Sequence, residues 1–92
     1  MPYFIIERNY AELVQVPAPL GAFDALNLIN DEEEVRWLYS FLSVDRRKTY
    51  CVYEAESVAA IIAAAARAGL PADVVTEVDG RMLPSGTFAA VE

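Results

Sequence analysis

The chain has 92 residues, of which 55% are hydrophobic, and its fourteen acids and seven bases give a net charge of −7. A chain of this length buries one core, so we expect a single domain over residues 1–92. The negative charge disfavours nucleic acid and anionic lipid as partners, and no apolar run approaches the ~18 residues of a membrane span. The start lacks a signal-peptide pattern and the chain has one cysteine, which predicts a cytoplasmic protein.

The first part of the chain predicts a strand followed by a helix. Residues 3–10 alternate as a half-buried strand does, and one face of that strand is made by Phe4, Ile6 and Arg8. Two prolines then break the chain, and helical spacing beyond them predicts a helix that ends near Glu33.

The middle of the chain predicts a β-hairpin. Residues 35–43 are rich in aromatic and apolar side chains, and strict alternation puts Trp37, Tyr39 and Phe41 on one face of a second strand. A turn of about four residues joins this strand to a third strand over residues 48–55.

The last part predicts a helix, a strand and a tail. Ser57 can cap a helix over the alanine-rich residues 59–68, and Gly69 can end it. Residues 74–78 predict a fourth strand, and residues 80–92 are expected to form an irregular C-terminal tail.

The element order βαββαβ predicts an α+β fold of the ferredoxin-like type. In this fold the third strand lies between the first and second strands, and both helices cover one face of an antiparallel sheet. The second strand has large apolar side chains on both faces, such as Trp37 and Leu38. Two helices shelter only one face, so we expect a homodimer packed sheet to sheet, with the tail as a candidate to reach across.

Two stretches, VRWLYSFLSVDRRKTYCVYEA and ARAGLPADVVTEV, resemble a bacterial family of small ferredoxin-like domains of unknown function. Some members of that family are described as nickel-binding. The resemblance extends over residues 35–78 and implies a dimeric, α/β barrel-like assembly with nickel as a candidate ligand. It also implies a glycine at the end of the first helix, where this chain has Glu34.

The residue chemistry offers little to a nickel or zinc ion, since both metals prefer imidazole and thiolate ligands. The chain has no histidine, and Cys51 is its one soft ligand and a weak metal candidate. A cysteine in the middle of a strand more often packs as a small apolar side chain. The acidic run at residues 31–34 is interpreted as a solvated helix end, with a cation or a basic partner as the alternative.

Five residues are candidates for contact with a small ligand: Glu7, Trp37, Tyr39, Tyr50 and Glu54. An enclosed carboxyl group can accept a proton, and aromatic side chains can wall an apolar cavity between sheet and helices. Two alternatives stay open. Glu7 can pair with Lys48 or Arg47 across the sheet, and the aromatic rows can fill a core or an interface.

These features leave three interpretations of function. The favoured one is a non-enzymatic dimeric domain that binds a small ligand or metal, or has an accessory role. The second is a small cofactor-free enzyme of the oxygenase or isomerase type, suggested by analogy with dimeric ferredoxin-like barrels. The third is a structural domain that binds a partner through the tail around Phe88. A cavity favours the first two, and a filled core favours the third.

Overall fold

A computed structural model describes all 92 residues of the chain, which form six strands and two helices. None of its helices has the length and hydropathy needed to cross a membrane. In chain order the elements are β1 (Tyr3–Asn9), α1 (Asp24–Glu32), β2 (Arg36–Leu42), β3 (Lys48–Glu54), α2 (Val58–Ala68), β4 (Val74–Val78), β5 (Arg81–Met82) and β6 (Phe88–Ala89).

The main sheet has four strands in the order β2-β3-β1-β4, and each neighbouring pair is antiparallel. This is the ferredoxin-like arrangement predicted from the element order, and β3 lies between β1 and β2 as expected. The two central strands pair over their whole length, from Tyr3 opposite Glu54 to Asn9 opposite Lys48.

One face of the sheet packs against the helices and forms the core. Because side chains alternate along a strand, Phe4 and Ile6 of β1 point to the same face as Cys51 and Tyr53 of β3. Ile61 of α2 packs against them. Burying each large apolar side chain contributes about 1.5–3 kcal/mol, so these contacts hold the helices on the sheet. The interpretation of Cys51 as a core residue is confirmed.

A bulge in β2 changes which residues share a face. Trp37 lies opposite Tyr53, but Tyr39 lies opposite Val52, so Leu38 has no partner in the register. Beyond the bulge, Tyr39 and Phe41 therefore point away from the helices. The prediction that Trp37, Tyr39 and Phe41 share one face is wrong, because one extra residue reverses the alternation of the strand.

The ends of α2 confirm the predicted signals. The Ser57 side chain accepts a hydrogen bond from the Ala60 backbone N–H at 3.2 Å, and Gly69 follows the helix with a positive φ of 68°. The N–H of Leu70 donates to the Ala65 carbonyl and that of Gly69 to the Ala66 carbonyl. This pair of bonds satisfies carbonyl groups that the helix leaves unpaired at its end.

Helix α1 ends in the same way, but without a glycine. The N–H of Val35 donates to the Asn30 carbonyl, and the N–H of Glu34 donates to the Asp31 carbonyl. Glu34 adopts φ 57°, a left-handed conformation that glycine adopts at lower cost. Glu34 therefore stands at the position where the family resemblance implied a glycine.

The acidic run at the end of α1 has a basic partner within the chain. Arg67, in the last turn of α2, pairs with Glu32 at 2.8 Å and with Glu33 at 3.2 Å. The arginine offsets the unfavourable placement of acids near the carbonyl end of a helix.

The C-terminal residues, for which no regular element was expected, contain a small hairpin of β5 and β6. Gly80 fits closely against it, since a Cβ there would lie 2.5 Å from the Ala89 carbonyl oxygen. Beyond the hairpin, the Glu92 carboxylate accepts hydrogen bonds from Tyr3 and Arg36. The tail therefore returns to one end of the sheet.

The conformation of Glu34 predicts that Glu34→Gly stabilises the protein. A left-handed conformation costs a residue with a Cβ about 1–2 kcal/mol, and glycine avoids that cost. Glu34→Ala is the control, because it removes the charge and keeps the Cβ. Urea unfolding should give Glu34→Gly a free energy of unfolding about 1 kcal/mol above that of Glu34→Ala, and equal values would contradict this account.

Candidate functional site

A cavity of about 710 Å³ lies between the helix-facing side of the sheet and the helices. Fourteen of its eighteen lining residues are hydrophobic, so its walls suit an apolar molecule. Three strands, both helices, the loop between β1 and α1 and the loop after α2 supply the lining: Arg8, Tyr10, Val14, Val16, Ala22, Phe23, Ala25, Leu26, Ile29, Trp37, Ser40, Leu42, Thr49, Cys51, Tyr53, Arg67, Ala68 and Leu70.

The loop between β1 and α1 forms part of the mouth of the cavity. The hairpin turn holds this loop through backbone hydrogen bonds, from the Tyr10 N–H to the Arg47 carbonyl at 2.9 Å and from the Val14 N–H to the Arg46 carbonyl at 2.8 Å. Phe23, at the start of α1, is exposed at the same opening. Exposed residues at the mouth give a ligand access from solvent.

Trp37 of β2 forms one wall of the cavity and contacts Phe23 at the start of α1. Its indole N–H donates to the Ser40 hydroxyl at 2.9 Å, and its ring meets the edge of Phe23 with centroids 5.2 Å apart. The bulge puts Trp37 and Ser40 on the same face of the sheet. Their contact fixes the ring orientation, so this wall is preformed.

The floor of the cavity is polar, and its centre is Arg8. This arginine is 2% exposed, and its Nη1 donates to the Pro71 carbonyl oxygen. Its guanidinium carbon lies 5.8 Å from the centre of the Tyr53 ring. Buried arginines are normally paired with a carboxylate, yet the five ion pairs of the chain involve only Arg36, Lys48 and Arg67 as cations.

Tyr53 and Asn30 accompany this buried charge. Burial raises the pKa of the Tyr53 hydroxyl, while the charge of Arg8 and the Asn30 amide act to lower it. Asn30 is 4% exposed, and its side-chain nitrogen makes no hydrogen bond of normal geometry. Of these two residues only Tyr53 lines the cavity, so the floor presents the Arg8 guanidinium and the Tyr53 hydroxyl.

A chain of weak polar contacts completes the floor. The Cys51 thiol donates to the Thr49 hydroxyl oxygen at 3.4 Å, and that oxygen lies 3.0 Å from the hydroxyl of Tyr10. Cys51 is buried, and no three His, Cys, Asp or Glu side chains of the chain lie close enough to hold a metal ion. One thiol is therefore the only soft donor in the cavity.

Of the five predicted ligand-binding residues, Trp37 alone lines this cavity. Tyr50 and Glu54 share a face of β3 as expected, but that face and Glu7 point away from the helices, as does Tyr39. Tyr39 and Tyr50 therefore do not wall a cavity between sheet and helices, and the alternative that these aromatic side chains fill a core or an interface stays open. A role for residues of this outer face in binding a ligand stays a prediction.

The alternative for Glu7 agrees with the structure. The Lys48 ammonium lies 3.1 Å from the Glu7 carboxylate, as antiparallel pairing of β1 and β3 predicts. Arg36 makes a second pair on this face, with Glu54 at 3.0 Å. Both acids are thus engaged with neighbouring cations.

Arg8 and Tyr53 were not predicted from the sequence as a pair of site residues. The signal for one of them was present, since alternation already places Arg8 on the face of Phe4 and Ile6. A charged residue that continues an inward-facing apolar row is unusual enough to mark a site.

The chain belongs to the family described as "Nickel responsive protein SCO4226-like", whose model matches residues 4–78. The crystal structure of SCO4226 from Streptomyces coelicolor A3(2) superposes on the chain with a TM-score of 0.70 at 22% sequence identity. The superposition covers 83% of this chain and 94% of that one. At this identity the likeness shows the fold alone. No match is found among curated proteins.

The raised pKa of Tyr53 predicts that alkaline solution destabilises the fold. Folded Tyr53 keeps its proton to higher pH than the unfolded chain, so its contribution is full below the unfolded pKa of about 10 and falls as pH rises above it. The loss is at most about 1.4 kcal/mol per pH unit. Between about pH 8 and pH 11, urea unfolding should show that the free energy of unfolding falls less in Tyr53→Phe than in protein that keeps the Tyr53 hydroxyl.

This comparison needs a Tyr3→Phe background, because the hydrogen bond to Glu92 also raises the pKa of Tyr3. If, within the Tyr3→Phe background, the free energy of unfolding falls equally with pH with and without the Tyr53 hydroxyl, the raised pKa of Tyr53 is contradicted.

Proposed function

We propose that the protein is a non-enzymatic domain that binds a small, largely apolar organic molecule in the cavity between its sheet and helices. The observation that supports this most directly is the preformed cavity of about 710 Å³ with fourteen hydrophobic lining residues. Its size is in the range that suits small-molecule ligands. The cavity supports this proposal over a purely structural domain, for which a filled core was expected.

The polar groups of the cavity favour binding over catalysis. An enzyme of the isomerase or cofactor-free oxygenase kind needs a base that takes a proton from its substrate. Here the buried polar groups of the lining include the guanidinium of Arg8 and the hydroxyl of Tyr53, whose burial raises its pKa, and both can donate hydrogen bonds at neutral pH. The thiol of Cys51 is directed to Thr49.

The family description names nickel, but the residues of a single chain do not fit a nickel site. Nickel is held in proteins chiefly by imidazole and thiolate. This chain has no histidine and one cysteine, and its acids form no three-ligand cluster. The proposal therefore assigns the cavity to an organic ligand.

We also propose that the protein acts as a homodimer joined through the outer face of the sheet. Tyr39 and Phe41 meet edge to face with centroids 5.6 Å apart, Phe41 is 62% exposed, and Tyr50 lies opposite it on β3. The helices leave this aromatic patch of three residues bare. Pairing it with its copy buries apolar surface on both chains.

Saturable binding of a neutral apolar dye tests the ligand proposal. N-phenyl-1-naphthylamine should bind the native protein with enhanced fluorescence, and the dye recovered afterwards should be unchanged. In Ala25→Trp an indole occupies the mouth, so the dissociation constant should rise at least about tenfold, or about 1.4 kcal/mol.

Ala59→Trp is the matched control, because Ala59 is an exposed helix residue that does not line the cavity. It should bind the dye as the native chain does. Unsaturable binding, or equal weakening in both variants, would count against the cavity as the binding site.

Sedimentation equilibrium at micromolar concentration tests the dimer. The native chain should sediment as a dimer, and Phe41→Lys should dissociate it, because each buried large side chain contributes about 1.5–3 kcal/mol. Ile62→Lys replaces a similarly exposed residue of α2, 52% exposed, and should leave the dimer intact. A native monomer would overturn this proposal.

A further inference from the structure

The buried guanidinium of Arg8 lacks a carboxylate, and the cavity supplies none. No aspartate or glutamate is among the lining residues. The cavity contains a second arginine, Arg67, but Glu32 and Glu33 already pair with it. In a chain of net charge −7, the interior of the cavity therefore carries one uncompensated positive charge.

The contacts that Arg8 makes satisfy only part of that charge. The Pro71 carbonyl accepts from one of its three nitrogens, and the Tyr53 ring lies within cation–π range. Burial of a cation without a counter-ion is destabilising, and a carboxylate paired with it in two parallel hydrogen bonds offsets much of the lost hydration.

Tyr53 lies beside Arg8 and also lines the cavity. Burial raises the pKa of its hydroxyl, which therefore keeps its proton and can donate a hydrogen bond at neutral pH. Asn30 acts on the same hydroxyl but is not among the lining residues. Arg8 and Tyr53 are thus the donors at one end of an apolar cavity.

We propose that the ligand is an apolar organic molecule with a single carboxylate, which pairs with Arg8 beside Tyr53 while its apolar body fills the cavity. This inference rests on the proposed ligand-binding function and names its ligand class. A monoanion matches the one free cation of the cavity. A phosphate monoester, which is largely doubly charged, would need a second cation, and Arg67 is already engaged.

Titration calorimetry at neutral pH with three ten-carbon probes tests the inference: decanoate, 1-decanol and decyl phosphate. The native protein should bind decanoate at least tenfold more tightly than 1-decanol, and more tightly than decyl phosphate. Arg8→Met should lose the preference for decanoate and keep its affinity for 1-decanol, which also shows that the variant folds with its cavity intact. Arg8→Lys, a second variant, keeps the charge but lacks the forked donor geometry, and should retain only part of the preference.

Arg67→Met is the matched control, because Arg67 lines the same cavity and already has carboxylate partners. It should keep the native preference. Native protein that binds 1-decanol and decanoate equally would overturn the carboxylate assignment and leave the proposed function standing. A preference that survives in Arg8→Met, or tighter binding of decyl phosphate, would also overturn it. Failure of all three probes and of the neutral dye would overturn the proposed function itself.

Discussion

Strand β1 pairs with β3 on one side and with β4 on the other. Hydrogen bonds to β3 and β4 fix the register of this central strand, and its alternation then fixes which side chains point towards the helices. Phe4 and Ile6 anchor the core by that rule, and the next residue of the same row is Arg8. The alternation of side chains along β1 therefore places residues of this strand in both the apolar core and the polar floor of the cavity.

Much of this architecture follows from local signals in the sequence. The element order, the hairpin and the cap at Ser57 each depend on residues close together in the chain, and all of them are found in the structure. The faces of β2 were mispredicted because one unpaired residue, Leu38, reverses the alternation of everything that follows it. No local sequence pattern predicts such a bulge, because it depends on how two strands pair.

The cavity could not be predicted for a different reason. The size of a cavity depends on the distance between the helices and the sheet, and no single stretch of the sequence determines that distance. Alanines 64 and 65 are small and buried in α2, whereas the part of the space next to Phe23 and Trp37 is left open. Its lining residues come from distant parts of the chain, and only Trp37 of the predicted ligand-binding residues is among them.

The family relationship concerns the backbone fold, whereas the chemistry of the site depends on its side chains. A TM-score of 0.70 at 22% identity shows that backbone geometry is shared while most side chains differ, and ligands are recognised by side chains. A metal needs several donors at fixed distances, which this chain does not assemble, whereas an apolar cavity with one buried cation needs only Arg8 on an inward-facing row. The chemistry of this cavity therefore has to be inferred from its own side chains, among which Arg8 is a buried cation.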